Sequence, residues 1–207
     1  VIAVDLYGHG RTALTDRRIE PHAIADDMAI VVRALGFERV DTLGFSFGGM
    51  ITFRLAVQHP DMVGRLVLAS VPFAYEGLYA DIREQQKGIT RENAAMLMQA
   101  PLYGAYKAVA PRVDDFSEFV VRMGEAIRTS YDWSEEAKRL KSTTLLVYGD
   151  SDMFEPEHIV RFYQLLGGGL RDAGWDGAGI VRHRLAILPG VTHYTMSTAP
   201  GLTETAL

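Results

Sequence analysis

Residues 41–55, DTLGFSFGGMITFRL, set a serine between glycines where an apolar strand pattern gives way to an apolar helical one. Packing supplies no reason for a hydroxyl there that alanine would not satisfy. Gly44-Phe45-Ser46-Phe47-Gly48 is a GxSxG sequence. A sharp strand-to-helix turn forces its apex residue into a strained backbone conformation and holds Ser46 Oγ clear of the carboxyl edge of the sheet. The glycines two before and two after the serine, with Gly49, are expected to leave room for the chain segments to approach. The helix that follows directs the N–H of Phe47 toward an anion formed at that Oγ. An ordinary turn serine, by contrast, would be satisfied by a nearby backbone group.

Outward from this turn the pattern alternates. VIAVDL (1–6) is a short β-branched run ending at Gly8 and Gly10, which predicts a strand and a tight turn. From Pro21 to Gly36, Ile24, Met28, Val31, Val32 and Leu35 recur at helical spacing. RVDTLG (39–44) predicts a second strand, FGGMITFRLAVQHP a helix ended by Pro60, and VGRLVLAS (63–70) a third strand. Residues 72 to about 140 break the rhythm with short helical patterns and many aromatics, among them Tyr75, Tyr103, Tyr131 and Trp133. The alternation resumes with TTLLVYGDSD (143–152), a helix from about Pro156 to Leu166, a glycine-rich excursion from Gly167 to Gly179 in which Gly167-Gly168-Gly169 reads as a flexible connection, and the strand HRLAILPG (183–190). Strands alternating with helices imply an α/β fold, a mostly parallel sheet with helices on both faces. The organisation read here is core (1–71), helical insertion after the third strand (72–141), and core again (142–207).

A serine hydroxyl is a poor nucleophile at neutral pH and needs a base and a group to orient that base. Two later strand ends offer them, at the edge where loops from distant sequence converge in open α/β sheets. Of the six histidines, His193 follows the last strand, giving the chain order Ser, Asp, His. The others, His9, His22, His59, His158 and His183, fall in helices, in a turn or at a strand start. For the acid, Asp152 is preferred to Asp150, because the third residue after Gly149 projects further into the loop while Asp150 is placed to bond the local turn. Glu76, after the third strand, is a remote third option.

Composition narrows the partners. The 207 residues are 48% hydrophobic and carry a net charge of −5, enough for one sizeable core and no basic field for nucleic acid or an anionic membrane. There is no cysteine, so no disulfide framework, thiolate nucleophile or cysteine metal site, and the cytoplasm is the default compartment. No apolar run reaches the length of a membrane span. Gly8-His9-Gly10 lacks the further residues of a nucleotide loop, and no HExxH or HxHxDH pattern points to a metal. Neither a cofactor nor a metal is expected.

VIAVDLYGHGRT, LGFSFGGM, HPDMVGRLVLAS, LLVYGDSD and LPGVTH resemble the successive core motifs of the α/β-hydrolase fold superfamily. The resemblance implies Ser46 as nucleophile, Asp152 as acid, His193 as base, and residues 72–141 as a cap. Within the superfamily the chain looks most like capped carboxylesterases and lactonases, some of which open acyl-homoserine lactones, so the implied partner is a small ester or lactone. C–C bond hydrolysis or perhydrolysis with the same triad is the alternative; the former needs a basic anchor, for which Arg83, Arg91 and Arg122 are candidates. A small-ligand receptor on the same fold is an alternative of another class. The family carries an HG-type loop that provides the second oxyanion N–H. This sequence starts beyond the point where that loop would stand, so an N-terminal segment is expected to precede it.

Overall fold

The computed structural model describes residues 1–206, the side chain of Pro101 excepted; Leu207, the last residue of the second core segment read above, lies outside them. In chain order the elements are α1 (Pro21–Ala34), β1 (Val40–Phe45), α2 (Ser46–Gln58), β2 (Val63–Ala69), α3 (Ala80–Lys87), α4 (Arg91–Leu97), α5 (Pro101–Val109), α6 (Phe116–Arg128), α7 (Ser134–Lys138), β3 (Thr143–Ser151), α8 (Pro156–Leu165), β4 (Arg184–Thr192) and α9 (Pro200–Ala206). Two compact units emerge: Val1–Ile24 with Ala80–Thr129, and Ala25–Tyr79 with the chain from Ser130 onward.

The second unit contains the sheet. Its described strands run in the order β1-β2-β3-β4, every neighbouring pair parallel. Strands joined this way need crossover connections, and the helical patterns between them supply these. Register sets Phe45 beside Ala69, Ala69 beside Val147 and Val147 beside Ala186. Ala69 and Val147 bury with Met196 and Leu202, and Phe45, Val67, Leu145, Ala186, Leu188 and Val191 pack around them. Along α2, Met50, Ile51, Phe53, Leu55 and Ala56 are buried. Phe53 stacks on Trp133 at 5.3 Å between ring centroids and meets Phe162 edge-on. Arg54, also buried, lies over the Trp133 ring and reaches Glu136 at 3.4 Å.

Residues on either side of the inserted helices belong with the sheet unit because of specific contacts. Trp133 N–H donates to Phe73 O at 2.8 Å, Ala74 bridges Asp132, and Leu78 bridges Phe154. In the first unit α6 buries Phe116, Phe119 and Val120, against which Tyr103 and Tyr106 of α5 pack.

One sequence expectation is corrected. VIAVDL is irregular, with Val1, Ile2 and Val4 exposed, and it belongs to no ladder among the described residues. A β-branched run becomes a strand only when a neighbouring strand supplies donors and acceptors, and propensity alone does not replace them. The tight turn after it does form: Asp5 accepts from Arg11 N–H at 3.1 Å and Arg11 Nε–H at 2.9 Å. The glycine-rich excursion after α8 holds two side-chain turns beyond Gly167-Gly168-Gly169. Asp172 Oδ2 accepts from Gly174 N–H and Asp176 Oδ1 from Ala178 N–H, at 2.8 and 3.0 Å. Aspartates two residues before glycine and alanine make this local bond in preference to regular structure.

Two buried histidines tie this unit to pH. His158 stacks on Phe73 at 4.0 Å and its Nε2 accepts from Phe73 N–H at 3.2 Å. His183 Nδ1 accepts from Thr144 N–H at 3.2 Å. Burial pushes each down to about 4, assisted at His183 by Arg182 and Arg184 and opposed at His158 by Asp132. The unfolded chain therefore holds protons between about pH 4 and 6.5 that the folded chain does not. Stability should be constant above about pH 6.5 and fall as the pH drops below it, with an uptake on unfolding that rises toward two protons. Urea midpoints measured at half-unit steps from pH 7.5 to 5 check this; midpoints that stay level across the range would contradict it.

Candidate active site

Register decides which side chains meet. β1, β2, β3 and β4 end along one edge of the sheet, and Ser46, Asp152 and His193 follow β1, β3 and β4 at that edge. Ser46 is the first residue of α2 and has φ +52°, a conformation in which a residue with a Cβ is strained. The turn is held by close crossing of its own backbone. A Cβ on Gly44 would lie 2.5 Å from Gly48 O and Gly49 Cα, and one on Gly49 would lie 2.1 Å from Val71 Cγ2. Gly48 differs from the expectation that glycines flanking the serine at both sides leave room, since nothing lies within 4 Å of a Cβ built there. The close approaches are made by Gly44 and Gly49.

From Ser46 a chain of hydrogen bonds runs inward. Ser46 Oγ and His193 Nε2 are 2.9 Å apart, and His193 Nδ1 is 3.0 Å from Asp152 Oδ1. His193 and Asp152 are each 8% exposed. The imidazole lies 5.0 Å from the Phe45 ring and meets Phe154 edge-on at 5.8 Å, so its plane is fixed by apolar neighbours. Its loop is pinned too. Thr192 N–H donates to Thr195 Oγ1 at 3.0 Å, Thr195 N–H to Thr192 O at 3.2 Å, and Met196 is fully buried.

Asp152 is unusually well supplied with donors. Oδ1 also accepts from Met153 N–H at 2.9 Å, and Oδ2 accepts from Ser70 Oγ–H at 2.5 Å and Gly149 N–H at 3.3 Å. Burial alone would raise its pKa; the bonds from His193, Ser70 and the Met153 N–H outweigh burial and hold the carboxyl below its ordinary value. Because Asp152 is ionised it accepts at Nδ1, so the imidazole proton sits there and the Nε2 lone pair faces Ser46.

Asp150 does another job. Its Oδ1 accepts from Gly190 N–H at 2.9 Å and from Ser151 Oγ–H at 3.2 Å, tying the ends of β3 and β4 together. Glu76 is exposed, in a single helical turn after β2, and Asp152 is the carboxylate at His193 Nδ1. Phe47 is the second residue of α2, which puts its N–H at the positive pole of the helix. Sequence reasoning missed Ser70, Thr195 and Met196. Among the described residues there is no group of three His, Cys, Asp or Glu side chains that could hold a metal, and no helix is long and apolar enough to cross a membrane.

The comparisons with known proteins agree with this architecture. A family described as alpha/beta hydrolase fold matches residues 1–94. MGS-M2, an alpha/beta hydrolase enzyme from a Medee basin deep-sea metagenome library, superposes with a TM-score of 0.70 over 98% of this chain and 75% of its own, at 16% identity. The chain has the α/β-hydrolase fold. Two curated relatives match part of the chain. An esterase of Mycobacterium tuberculosis is 36% identical over 88 residues, 42% of this chain and 30% of the esterase. The 2-hydroxy-6-oxo-6-phenylhexa-2,4-dienoate hydrolase of Comamonas testosteroni is 25% identical over 142 residues, 59% of this chain and 50% of that enzyme. The matches thus span no more than half the length of either relative.

The three glycines of the turn of this α/β-hydrolase fold should separate in a stability series. Gly49→Ala and Gly44→Ala force backbone or a packed side chain aside and should lower stability by about 1–3 kcal/mol or more. Gly48→Ala should stay within about 0.5 kcal/mol of the parent, as for a surface substitution. Thermal melts of the three variants check the order, and an equal loss at Gly48 would refute the assignment of the close approaches.

Proposed function

We propose that this protein hydrolyses carboxylic esters or lactones through an acyl-enzyme, with Ser46 as nucleophile, His193 as base, Asp152 as acid and the Phe47 N–H as an oxyanion donor. The observation that carries the proposal is the unbroken relay from Ser46 Oγ to His193 Nε2 at 2.9 Å and from His193 Nδ1 to Asp152 at 3.0 Å, set on a serine whose backbone is left-handed. In this mechanism Oγ attacks the carbonyl carbon as its proton passes to Nε2. Asp152 holds the tautomer and stabilises the imidazolium. The negative charge that develops on the carbonyl oxygen meets the Phe47 N–H at the start of α2. His193 then returns its proton to the leaving alcohol, and water, activated at Nε2, repeats the attack and frees the acid. Every group required is a side chain, a backbone N–H or water. The Mycobacterium tuberculosis relative, named an esterase, supports the choice of bond.

The same relay serves C–C bond hydrolysis, and the Comamonas testosteroni relative is named for such a substrate. That reaction needs a basic anchor for its acid. Arg122 donates to Glu118 Oε1 at 2.7 Å and to the carbonyls of Thr15 and Arg17, and Arg91 pairs with the other oxygen of Glu118. Two of the three candidate anchors are thereby engaged by one carboxylate rather than left to a substrate acid, which favours the ester reading. We assign the helical segment 72–141, between core segments 1–71 and 142–207, to selection among acyl chains.

Hydrolysis of p-nitrophenyl acetate, a longer p-nitrophenyl ester and an acyl-homoserine lactone by the parent protein and single variants tests the proposal. Ser46→Ala should lower kcat by about six orders of magnitude and Asp152→Asn by about four. Asp150→Asn should leave kcat within a few-fold of the parent, since its partners are Gly190 and Ser151. Equal turnover by the parent and Ser46→Ala would refute the nucleophile. Loss at Asp150 with retention at Asp152 would reverse the choice of acid.

A further inference from the structure

Ser70 lies outside every motif, yet it is fully buried and has φ +53°. Among the described residues only Ser46 shares a positive φ without being glycine. The two serines are equivalent by register: Phe45 and Ala69 are partners across β1 and β2, and Ser46 and Ser70 each follow next. A left-handed residue bearing a Cβ is strained, and glycine would relieve it. What serine offers here over glycine is its hydroxyl. That hydroxyl donates to Asp152 Oδ2 at 2.5 Å.

Asp152 divides its partners between its two oxygens. Oδ1 takes His193 Nδ1–H and Met153 N–H. Oδ2, turned from the imidazole, has Ser70 at 2.5 Å and Gly149 N–H at 3.3 Å. Ser70 is therefore the short donor on the oxygen that would otherwise be buried with one long contact. It fixes the rotation of the carboxylate about its own bond, and so the direction in which Oδ1 faces His193.

We propose that Ser70 is a positioning residue for the acid of the relay, its strained backbone kept so that its hydroxyl holds Asp152 aimed at His193. The proposal rests on the reading of Ser46, His193 and Asp152 as a catalytic relay. Removing the hydroxyl withdraws a donor from the Asp152 anion. With that donor gone the carboxylate is less fixed in rotation, and the bond from His193 Nδ1–H to Oδ1, 3.0 Å in the parent, changes in length and direction. A residue that merely filled space would leave the surroundings of that N–H in place.

The test compares the parent with Ser70→Ala and Ser70→Gly, the second chosen because glycine adopts the positive φ without strain and so keeps a folded variant in hand. With p-nitrophenyl acetate both variants should lose about tenfold or more in kcat, as for a misaligned catalytic group. Thermal melting should place Ser70→Gly at or above Ser70→Ala, so activity and stability separate. Proton NMR of the low-field His193 Nδ1–H signal should show it shifted or broadened in both variants; this readout needs no turnover. An unmoved Nδ1–H signal in both variants would overturn the inference, even if kcat had fallen. Ser46→Ala, run alongside, keeps the two proposals apart. Undiminished turnover there removes the catalytic relay, while loss there with an unchanged Ser70→Gly removes Ser70 alone.

Discussion

The arrangement depends on one constraint, the common register of four parallel strands. Phe45, Ala69, Val147 and Ala186 stand in one row across the sheet, so whatever follows each of them emerges at the same edge. Ser46 and Ser70 follow at once, Asp152 after a short extension past Gly149, and His193 at the end of a longer strand. Parallel strands make this possible because every strand presents the same end. In an antiparallel sheet alternate ends would face the other way and half of these side chains would be carried to the opposite edge. Gly149 tightens the arrangement, for a Cβ there would sit 1.9 Å from Val191 O.

Much of this was readable from the sequence, and the part that was not shares a physical cause. Ser46 and His193 were legible because a turn serine between glycines and a histidine after a final strand each carry a local signature. Asp152 could be separated from Asp150 only by projection along the loop, and the bond from Gly190 N–H to Asp150 gives that separation its cause. VIAVDL misled because strand propensity describes a residue's fitness for a sheet and not the presence of a partner. Gly48 looked like Gly44 and Gly49 because glycine gives no hint of what approaches it. Ser70, Thr195 and Met196 were invisible for a related reason: a donor, a turn hydroxyl and an anchor matter through residues far away in the chain. Ser70 is separated from Asp152 by 82 positions.

Stability and chemistry draw on the same contacts in the sheet unit. Two non-glycine residues in left-handed conformations are a local cost, and such strain persists only where the surroundings over-determine it. At Ser46 the surroundings are the crossing of Gly44 and Gly49 and the buried flank of α2, locked by Phe53 against Trp133 and Phe162. At Ser70 they are the N–H bond to Val147 O at 2.8 Å, which continues the ladder past the end of β2, and the hydroxyl bond to Asp152. Strain at both serines is thus carried by the sheet, whose central strands bury Leu66, Leu68 and Leu146 completely.

Burial and ionisation pull Asp152 in opposite directions, and the balance explains the character of the site. A buried carboxyl with no donors would hold its proton at neutral pH and could not orient an imidazole as an acceptor. Four donors converge on Asp152 and reverse that tendency. His193 is treated differently: Phe45, Phe154 and Tyr194 are its ring neighbours, its polar bonds are made to Asp152 and Ser46, and its plane has little freedom to turn away from either. Polar support placed on the acid and apolar support placed on the base give each the property a relay demands of it, a fixed charge in the one and a fixed direction in the other. An imidazole surrounded by donors would have its Nε2 lone pair occupied, and a carboxylate surrounded by rings would lose its charge. The distribution of serine and backbone N–H around Asp152, and of phenylalanine around His193, follows from that asymmetry.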